Sequence, residues 1–358
     1  MAITTMNKGW LYFILVFLLT TLSSCRTGIQ DPVLAAFPGK MVEISPISEL
    51  SLEDKGIMSP STVFKYGKCF IFGLQQGDHS VDIYDTDTGN LLKSGMIGRA
   101  YGEVSTNIRP QVVGQFIYLY DHSTDKYWRI DIGMSITKGK QEIELVSSLN
   151  QIRGQNELFI PIFVYKTSSG ALSTGLLGGH KWYNYLNSDF EETSFIEDCD
   201  FDNFKGLSDL ARNNVHLSSH FSVSPDGSRV ICALQPAAAF SISDINGQEL
   251  TESYRRTFYS CEVKDTPSGP AFNSRSNREA FMDVCSDEDN VYLLYSGQKF
   301  HQEIPVEESS YLLVLDWNGK FKKAYHLSGR IRSMCLEGNI LYGVSQYPEA
   351  KMLEYSLN

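Results

Sequence analysis

Histidines and cysteines are the residue types that could act on a substrate or hold a metal, and their spacing supports neither role. His216 and His220 lie four residues apart, which brings two ligands together only on a helix, and the pattern around them predicts an extended segment. No two cysteines have the CxxC spacing of a zinc site. GxSxG, phosphate-loop and HExxH motifs are also missing, so the sequence indicates no catalytic residue, no metal and no cofactor.

Cys25 has a different setting, at the end of an export signal. Lys8 precedes an uncharged apolar run that ends at Leu19, which is the plan of a signal peptide. The run is too short for a transmembrane helix, which needs roughly 20 apolar residues. The segment that follows resembles the bacterial lipobox, whose cysteine becomes the lipidated N-terminus: Leu22-Ser23-Ser24-Cys25. We therefore predict a signal peptide over residues 1–24 and lipidation of Cys25.

Lipidation implies that the protein is held to a membrane of the cell envelope through Cys25. Several acyl chains on one residue give durable anchoring, because each buried CH₂ contributes about 0.8 kcal/mol. Arg26 stands where enterobacterial lipoproteins kept at the inner membrane carry Asp, so the sequence favours the outer membrane. Residues 25–39 contain Gly and Pro with little apolar periodicity and are expected to form a tether.

The remaining body, residues 40–358, has the composition of a globular domain with a large core. The chain is 42% hydrophobic and 12% aromatic, and its aromatic residues favour strands. A formal charge of −11 argues against nucleic acid as a partner, because phosphate contacts need clustered Lys and Arg. Buried free thiols or one or two disulfides both fit the cysteines after Cys25: Cys69, Cys199, Cys232, Cys261, Cys285 and Cys335.

A repeated pattern of strands predicts the fold. The unit is an apolar strand, a tight turn, a second strand rich in aromatic and β-branched residues, a loop and a third strand that ends in a turn. Such a period suits four strands per repeat, and the propeller blade is the commonest β unit of this size. Six repeats predict an all-β, six-bladed β-propeller, with the second strands opening at Lys68, Gln115, Gly170, Ser228, Asn290 and Asn339.

Turns and chain ends support this prediction. Asn246-Gly247 and Asn318-Gly319 follow third strands, and Asn-Gly is the preferred two-residue hairpin turn because both central residues need positive φ. The sixth repeat supplies strands at Arg332–Leu336, Ile340–Ser345 and Met352–Leu357 and then stops one strand short. We expect Met41–Ile44 to supply the missing strand, closing the ring and removing an exposed edge.

Repeats, lipobox and turns together resemble the TolB-like six-bladed propeller lipoproteins of bacterial envelopes. The most specific local element is Ile97-Gly98-Arg99-Ala100-Tyr101-Gly102-Glu103, which looks like the Gly-rich linker between blades of that family. The likeness covers roughly residues 40–358. It implies binding or scaffolding at the envelope.

In such a fold, residues just before the first strand of each blade ring one mouth of the central channel. A cationic mouth on an acidic body would attract an anionic ligand such as a carboxylate, an acidic sugar or a peptide C-terminus. The alternative is that these residues are solvated and paired with acidic neighbours. The five candidates are Arg109, Arg153, His220, Arg278 and Arg330.

Two functions remain open at this point. The first is a non-catalytic binding or scaffold module for an envelope protein or a small anionic ligand. The second is a propeller hydrolase or lyase of the lactonase kind, which would need carboxylates and His or Asn around a divalent metal at the channel mouth. A helix is also expected between the third and fourth blades, at Phe204–Asn213.

Overall fold

The computed structural model describes residues 31–106, 108–148, 159–199, 201–300 and 309–357. The chain divides into two units, Met1–Ala36 and Phe37–Asn358. In the first unit, Asp31 caps the single-turn helix α1 (Pro32–Ala35), and its carboxylate accepts hydrogen bonds from the backbone N–H of Val33 and Leu34 at 2.9 and 3.2 Å. No helix in these ranges is long and apolar enough to cross a membrane.

The second unit consists of six four-stranded antiparallel blades around a channel, which confirms the predicted β-propeller. From the channel outward, blade 1 holds β3 (Pro60–Tyr66), β4 (Cys69–Leu74), β5 (His79–Asp85) and β6 (Leu91–Met96). Blade 2 holds β7 (Gln111–Val113), β8 (Phe116–Asp121), β9 (Lys126–Asp131) and β10 (Ile143–Ser148), with helix α2 (Ile132–Lys138) before β10. Blade 3 holds β11 (Ile160–Lys166), β12 (Ala171–Leu176), β13 (Lys181–Leu186) and β14 (Glu192–Glu197).

The other three blades follow the same plan. Blade 4 holds β15 (Ser219–Val223), β16 (Arg229–Leu234), β17 (Ala238–Asn246) and β18 (Glu249–Tyr259). Blade 5 holds β21 (Phe281–Ser286), β22 (Asn290–Tyr295), β23 (Ser309–Asp316) and β24 (Phe321–Ile331). Blade 6 holds β25 (Ser333–Glu337), β26 (Ile340–Ser345), β27 (Lys351–Ser356) and, at its outer edge, β2 (Ser48–Ser51).

The second strand of each blade carries much of the core. In β4, for example, every residue is buried, because both faces of this strand pack against apolar side chains. Continuous apolar runs of this kind are typical of strands covered on both faces. All six second strands begin at or directly after the positions that the repeat pattern predicts.

The closing strand differs from the prediction. Val42–Ile44 forms β1, which pairs in parallel with β24 at the outer edge of blade 5, with Val42 opposite Tyr325. The strand that completes blade 6 is β2, which pairs antiparallel with β27, with Ser48 opposite Glu354. Val42 and Ile44 pack against the apolar cluster between blades 5 and 6, and this burial draws them away from the predicted place.

The predicted turn geometry holds only for the glycines. Gly319 has a φ of +77° and Gly247 one of +68°, whereas neither Asn246 nor Asn318 is among the described residues with positive φ. In blade 5, the Asp316 carboxylate accepts hydrogen bonds from the backbone N–H of Asn318 at 2.9 Å and of Lys320 at 3.0 Å. This loop of blade 5 is therefore longer than a two-residue hairpin turn, and the Asp316 side chain stabilises it.

In the described ranges, the connections between successive blades lie on one face, which we call the upper face because every innermost strand begins there. Residues 97–110 join blades 1 and 2, and they include the predicted linker, in which the Ala100 N–H donates to the Glu103 carboxylate at 2.7 Å. Residues 198–218 carry helix α3 (Asp209–Leu217), which begins five residues later than the predicted helix. Residues 260–280 carry the hairpin of β19 (Val263–Thr266) and β20 (Gly269–Phe272).

Candidate ligand site in the central channel

The innermost strands of all six blades line a channel of about 550 Å³. A second cavity of about 260 Å³, the upper mouth, lies at its upper end and shares Arg109, His220 and Arg332 with the channel. In blade 1, Gly73 on β4 leaves room for the side chain of Thr62 on β3, because a Cβ at position 73 would lie 2.3 Å from the Thr62 hydroxyl. The channel is a concavity that brings together polar side chains from all six blades.

Arg109 is held in the upper mouth just before β7. Its Nη1 donates hydrogen bonds to the hydroxyl of Tyr165 and to the carbonyl of Ser219, both at 3.0 Å. The guanidinium carbon lies 4.3 Å from the ring centroid of Phe163, in cation–π geometry. These contacts to blades 3 and 4 fix the guanidinium group before any ligand arrives.

Arg332 lies in the same mouth, between β24 and β25. Its Nη1 donates to the side-chain oxygen of Gln346 at 2.7 Å, and the Gln346 amide in turn donates to the carbonyl of Pro60 at 2.7 Å. The sequence analysis named Arg330 instead, because it began the strand at Arg332 rather than at Ser333. A strand start one residue later would have placed Arg332 just before it.

His220 on β15 and Asp283 on β21 form the polar centre of the channel. Asp283 Oδ2 accepts hydrogen bonds from the hydroxyl of Ser333 at 2.6 Å and from the N–H of Met334 at 2.9 Å. The Ser333 hydroxyl also accepts from the N–H of Val63 at 3.2 Å, so this chain of hydrogen bonds joins blades 5, 6 and 1. The sequence analysis missed Asp283, which lies inside an otherwise apolar strand.

Burial sets the protonation of these two groups. It lowers the pKa of His220 well below its usual value, and the nearby Arg109 lowers it further. Burial also raises the pKa of Asp283, although the hydrogen bond from Ser333 opposes this shift. Both side chains retain some exposure to the channel, 14% and 18%, while protein surrounds them on the other sides. His220 is therefore neutral at pH 7.

The lining of the channel is more cationic than the chain as a whole. Its charged side chains in the described ranges are four cations against two acids, whereas the whole chain carries a formal charge of −11. One acid, Asp226, is engaged locally, since hydrogen bonds from Ser224 and Ser228 lower its pKa to about 2. The six residues are Lys65, Arg109, Lys166, Arg332, Asp226 and Asp283.

The structure brings together two of the five residues that the sequence analysis placed at the mouth, Arg109 and His220. Arg330 lies near the end of β24 in blade 5, and Arg278 pairs in an isolated bridge with Lys299; neither is among the residues that line the channel or its upper mouth. Arg153 lies outside the described residues, as does Cys25.

Metal and thiol chemistry receive no support from the described ranges. Among these residues, no group of three or more His, Cys, Asp or Glu side chains is arranged to hold a metal ion. The described cysteines carry free thiols, and burial raises the pKa of Cys285 and Cys335, the two that line the channel.

Comparisons with known proteins define the fold. No family model matches the chain, and no curated protein does. A solved member of the DUF4221 family from Bacteroides vulgatus is similar in structure, with a TM-score of 0.52 and 11% identity over 88% of this chain and 98% of that one. The calcium-binding protein regucalcin from Agrobacterium tumefaciens has a TM-score of 0.51 and 9% identity over 89% and 98%. At this identity the likeness shows a shared fold, and the chain is a six-bladed β-propeller.

Proposed function

We propose that this chain is a lipid-anchored envelope protein whose propeller is a non-catalytic binding module for an anionic group. The observation that carries the proposal is the pair of guanidinium groups, Arg109 and Arg332, in the upper mouth of a cationic channel on an acidic protein. A cleft of one charge with protein walls focuses the field and attracts ligands of the opposite charge.

A carboxylate suits this mouth. The planar guanidinium presents its donors in a fork that matches the two oxygens of a carboxylate. Hydrogen bonds to Tyr165 and Gln346 hold Arg109 and Arg332 in place, so little side-chain freedom is lost when a ligand binds. A single pair of such contacts supports binding without implying a reaction.

Placement at the envelope rests on the N-terminal sequence. The lipobox-like segment before Cys25 supports attachment to a membrane, with the outer membrane favoured by Arg26. The propeller fold and the linker Ile97–Glu103 are consistent with a TolB-like protein, whose partner would be an envelope protein or a small molecule.

The proposal is tested by calorimetric titration of the full chain in detergent with succinate, citrate and glucuronate. We expect at least one of them to bind, and Arg332→Gln to weaken that binding about tenfold, the loss of roughly one charge-assisted hydrogen bond. Arg330→Gln is the matched control, because it removes the same charge two residues away on the outer strand of blade 5. Equal effects of the two substitutions, or no binding by the unaltered chain, would contradict the proposal.

A further inference from the structure

A third cavity lies beside the upper mouth, and we call it the side groove. It has a volume of about 300 Å³ and lies where helix α3 and strand β20 approach blades 4 and 5. Its apolar lining comes from four side chains: Leu217, Pro236, Phe272 and Phe300. The groove can therefore accept a large apolar group.

The side groove and the upper mouth follow one another along the same two strands. Ser218, directly before β15, lines the groove, and His220, two residues further along the chain in β15, lines the mouth. In the same way, Glu279, two residues before β21, lines the groove, and Met282 in β21 lines the mouth. Gln235 lines both cavities, so a ligand with its charged end in the mouth would extend into the groove at this residue.

The polar groups of the groove distinguish between kinds of ligand. Asn214, Ser218 and Gln235 bring amide and hydroxyl groups to the groove beside the apolar wall, and Glu279 adds a carboxylate. The Asn214 amide also donates to the Leu210 carbonyl at 3.2 Å. The backbone of Gln235 is fixed, because its N–H donates to the Ser218 carbonyl at 2.9 Å and its carbonyl accepts from Ala280 at 2.6 Å. Amide and hydroxyl groups of this kind match the N–H and C=O groups of a peptide better than an aliphatic chain, which has none.

From these features we infer that the ligand is the free C-terminus of a peptide whose last residue is large and apolar. The terminal carboxylate lies between Arg109 and Arg332, and the last side chain fills the side groove. This inference rests on the proposed function, because it uses the same two guanidinium groups. It adds the class of ligand and the second cavity.

The test uses fluorescein-labelled Gly-Ser-Gly-Ser-Phe as the probe, with the full chain in detergent and fluorescence polarisation as the readout. We expect the free acid to bind at least tenfold more tightly than the C-terminal amide, because the amide lacks the charge that the guanidinium groups recognise. Replacing the last residue of the probe by Asp should cost a similar factor, because a second carboxylate would lie against the apolar side chains of the groove and near the Glu279 carboxylate.

Two substitutions on helix α3 distinguish an effect on the side groove from a general effect of altering the helix. Leu217→Gln changes the groove and should weaken binding of the peptide acid about tenfold, while succinate binding stays the same. Leu210→Gln is the matched control, because Leu210 is 45% exposed on the same helix and is not among the groove residues.

The outcomes separate the inference from the proposed function. If succinate binds but the peptide acid and amide bind equally, the peptide inference is overturned and the proposed function stands. If neither succinate nor the peptide binds, both are overturned. If decanoate binds more tightly than the peptide acid and loses affinity with Leu217→Gln, the occupant is an aliphatic acid and the peptide inference is wrong.

Discussion

His220 and Asp283 face each other from neighbouring blades, with the imidazole Nδ1 3.8 Å from the carboxylate Oδ1. The contact is longer than a hydrogen bond, and burial together with Arg109 keeps the imidazole neutral. The carboxylate instead receives its short hydrogen bonds from Ser333 and Met334 on blade 6. Asp283 is thus a structural link between blades as well as part of the channel wall.

We predict that Asp283→Ala destabilises the propeller by about 1–3 kcal/mol, because it leaves the Ser333 hydroxyl and the Met334 N–H without their acceptor in a buried place. Urea unfolding measures the change. Asp289→Ala is the control, because Asp289 is an exposed acid on the same blade. An unchanged unfolding midpoint in the Asp283 variant would show that the link contributes nothing to stability.

The buried His216 should make the propeller sensitive to acid. It lies between Trp182 and Phe204, with ring centroids 5.9 and 6.1 Å away, and burial lowers its pKa to about 3. The unfolded chain takes up this proton near pH 6.5 and the folded chain does not, so stability is lost as pH falls from about 6.5 towards 3, by up to about 1.4 kcal/mol per pH unit.

His216→Phe should reduce that pH dependence, and urea unfolding at pH 7.0 and pH 5.0 measures the difference. The exposed His180 offers the control, because His180→Phe removes a histidine whose side chain is 61% exposed. Identical pH dependence in the unaltered chain and the His216 variant would contradict the prediction.

Lipidation is tested by expressing the full chain in bacteria supplied with radiolabelled palmitate. We expect label in the unaltered protein and in Cys69→Ser, and none in Cys25→Ser. The reason is that only Cys25 follows the lipobox-like segment. Labelled protein from the Cys25 variant would overturn the assignment.

Removal of metal ions should leave ligand binding unchanged. Dialysis of the purified chain against EDTA, followed by the same titration with carboxylates, measures this directly. Arg109 and Arg332 carry the proposed recognition, and it needs no divalent ion. Loss of binding with EDTA and its return with Ca²⁺ or Zn²⁺ would instead favour the hydrolase or lyase that the sequence analysis kept as its alternative.

The fold followed from the sequence because its signal is local and repeated. Strands such as β4 and β22 are continuous apolar runs bounded by turn residues, so their places can be predicted without knowledge of their partners. The closing strand could not be assigned in this way. Val42–Ile44 and Ser48–Ser51 are both short, and which of them completes blade 6 depends on packing against blade 5.

The candidate site was predicted only in part, because its residues were assigned from the predicted starts of the strands. Arg109 precedes a strand whose start was clear, and it lines the upper mouth. Around Arg330 and Arg332, strand β24 continues to Ile331 and β25 begins at Ser333, so a shift of one residue in the predicted strand start decides which arginine is placed in the mouth. Charge and composition cannot resolve such a shift. Asp283 was missed because a single acid within a buried strand has no sequence signature.

The position of β1 would have a mechanical consequence in a chain held to a membrane through Cys25, as proposed above. Tension from the membrane would reach β1 before β2, and β1 is an added fifth strand of blade 5 that the ring does not need for closure. Its release would lengthen the tether between the membrane and the ring by about 20 Å, the extended length of residues 42–47, without opening blade 6. Detachment of β1 would then relieve the tension before it reaches β2, the strand that closes the ring.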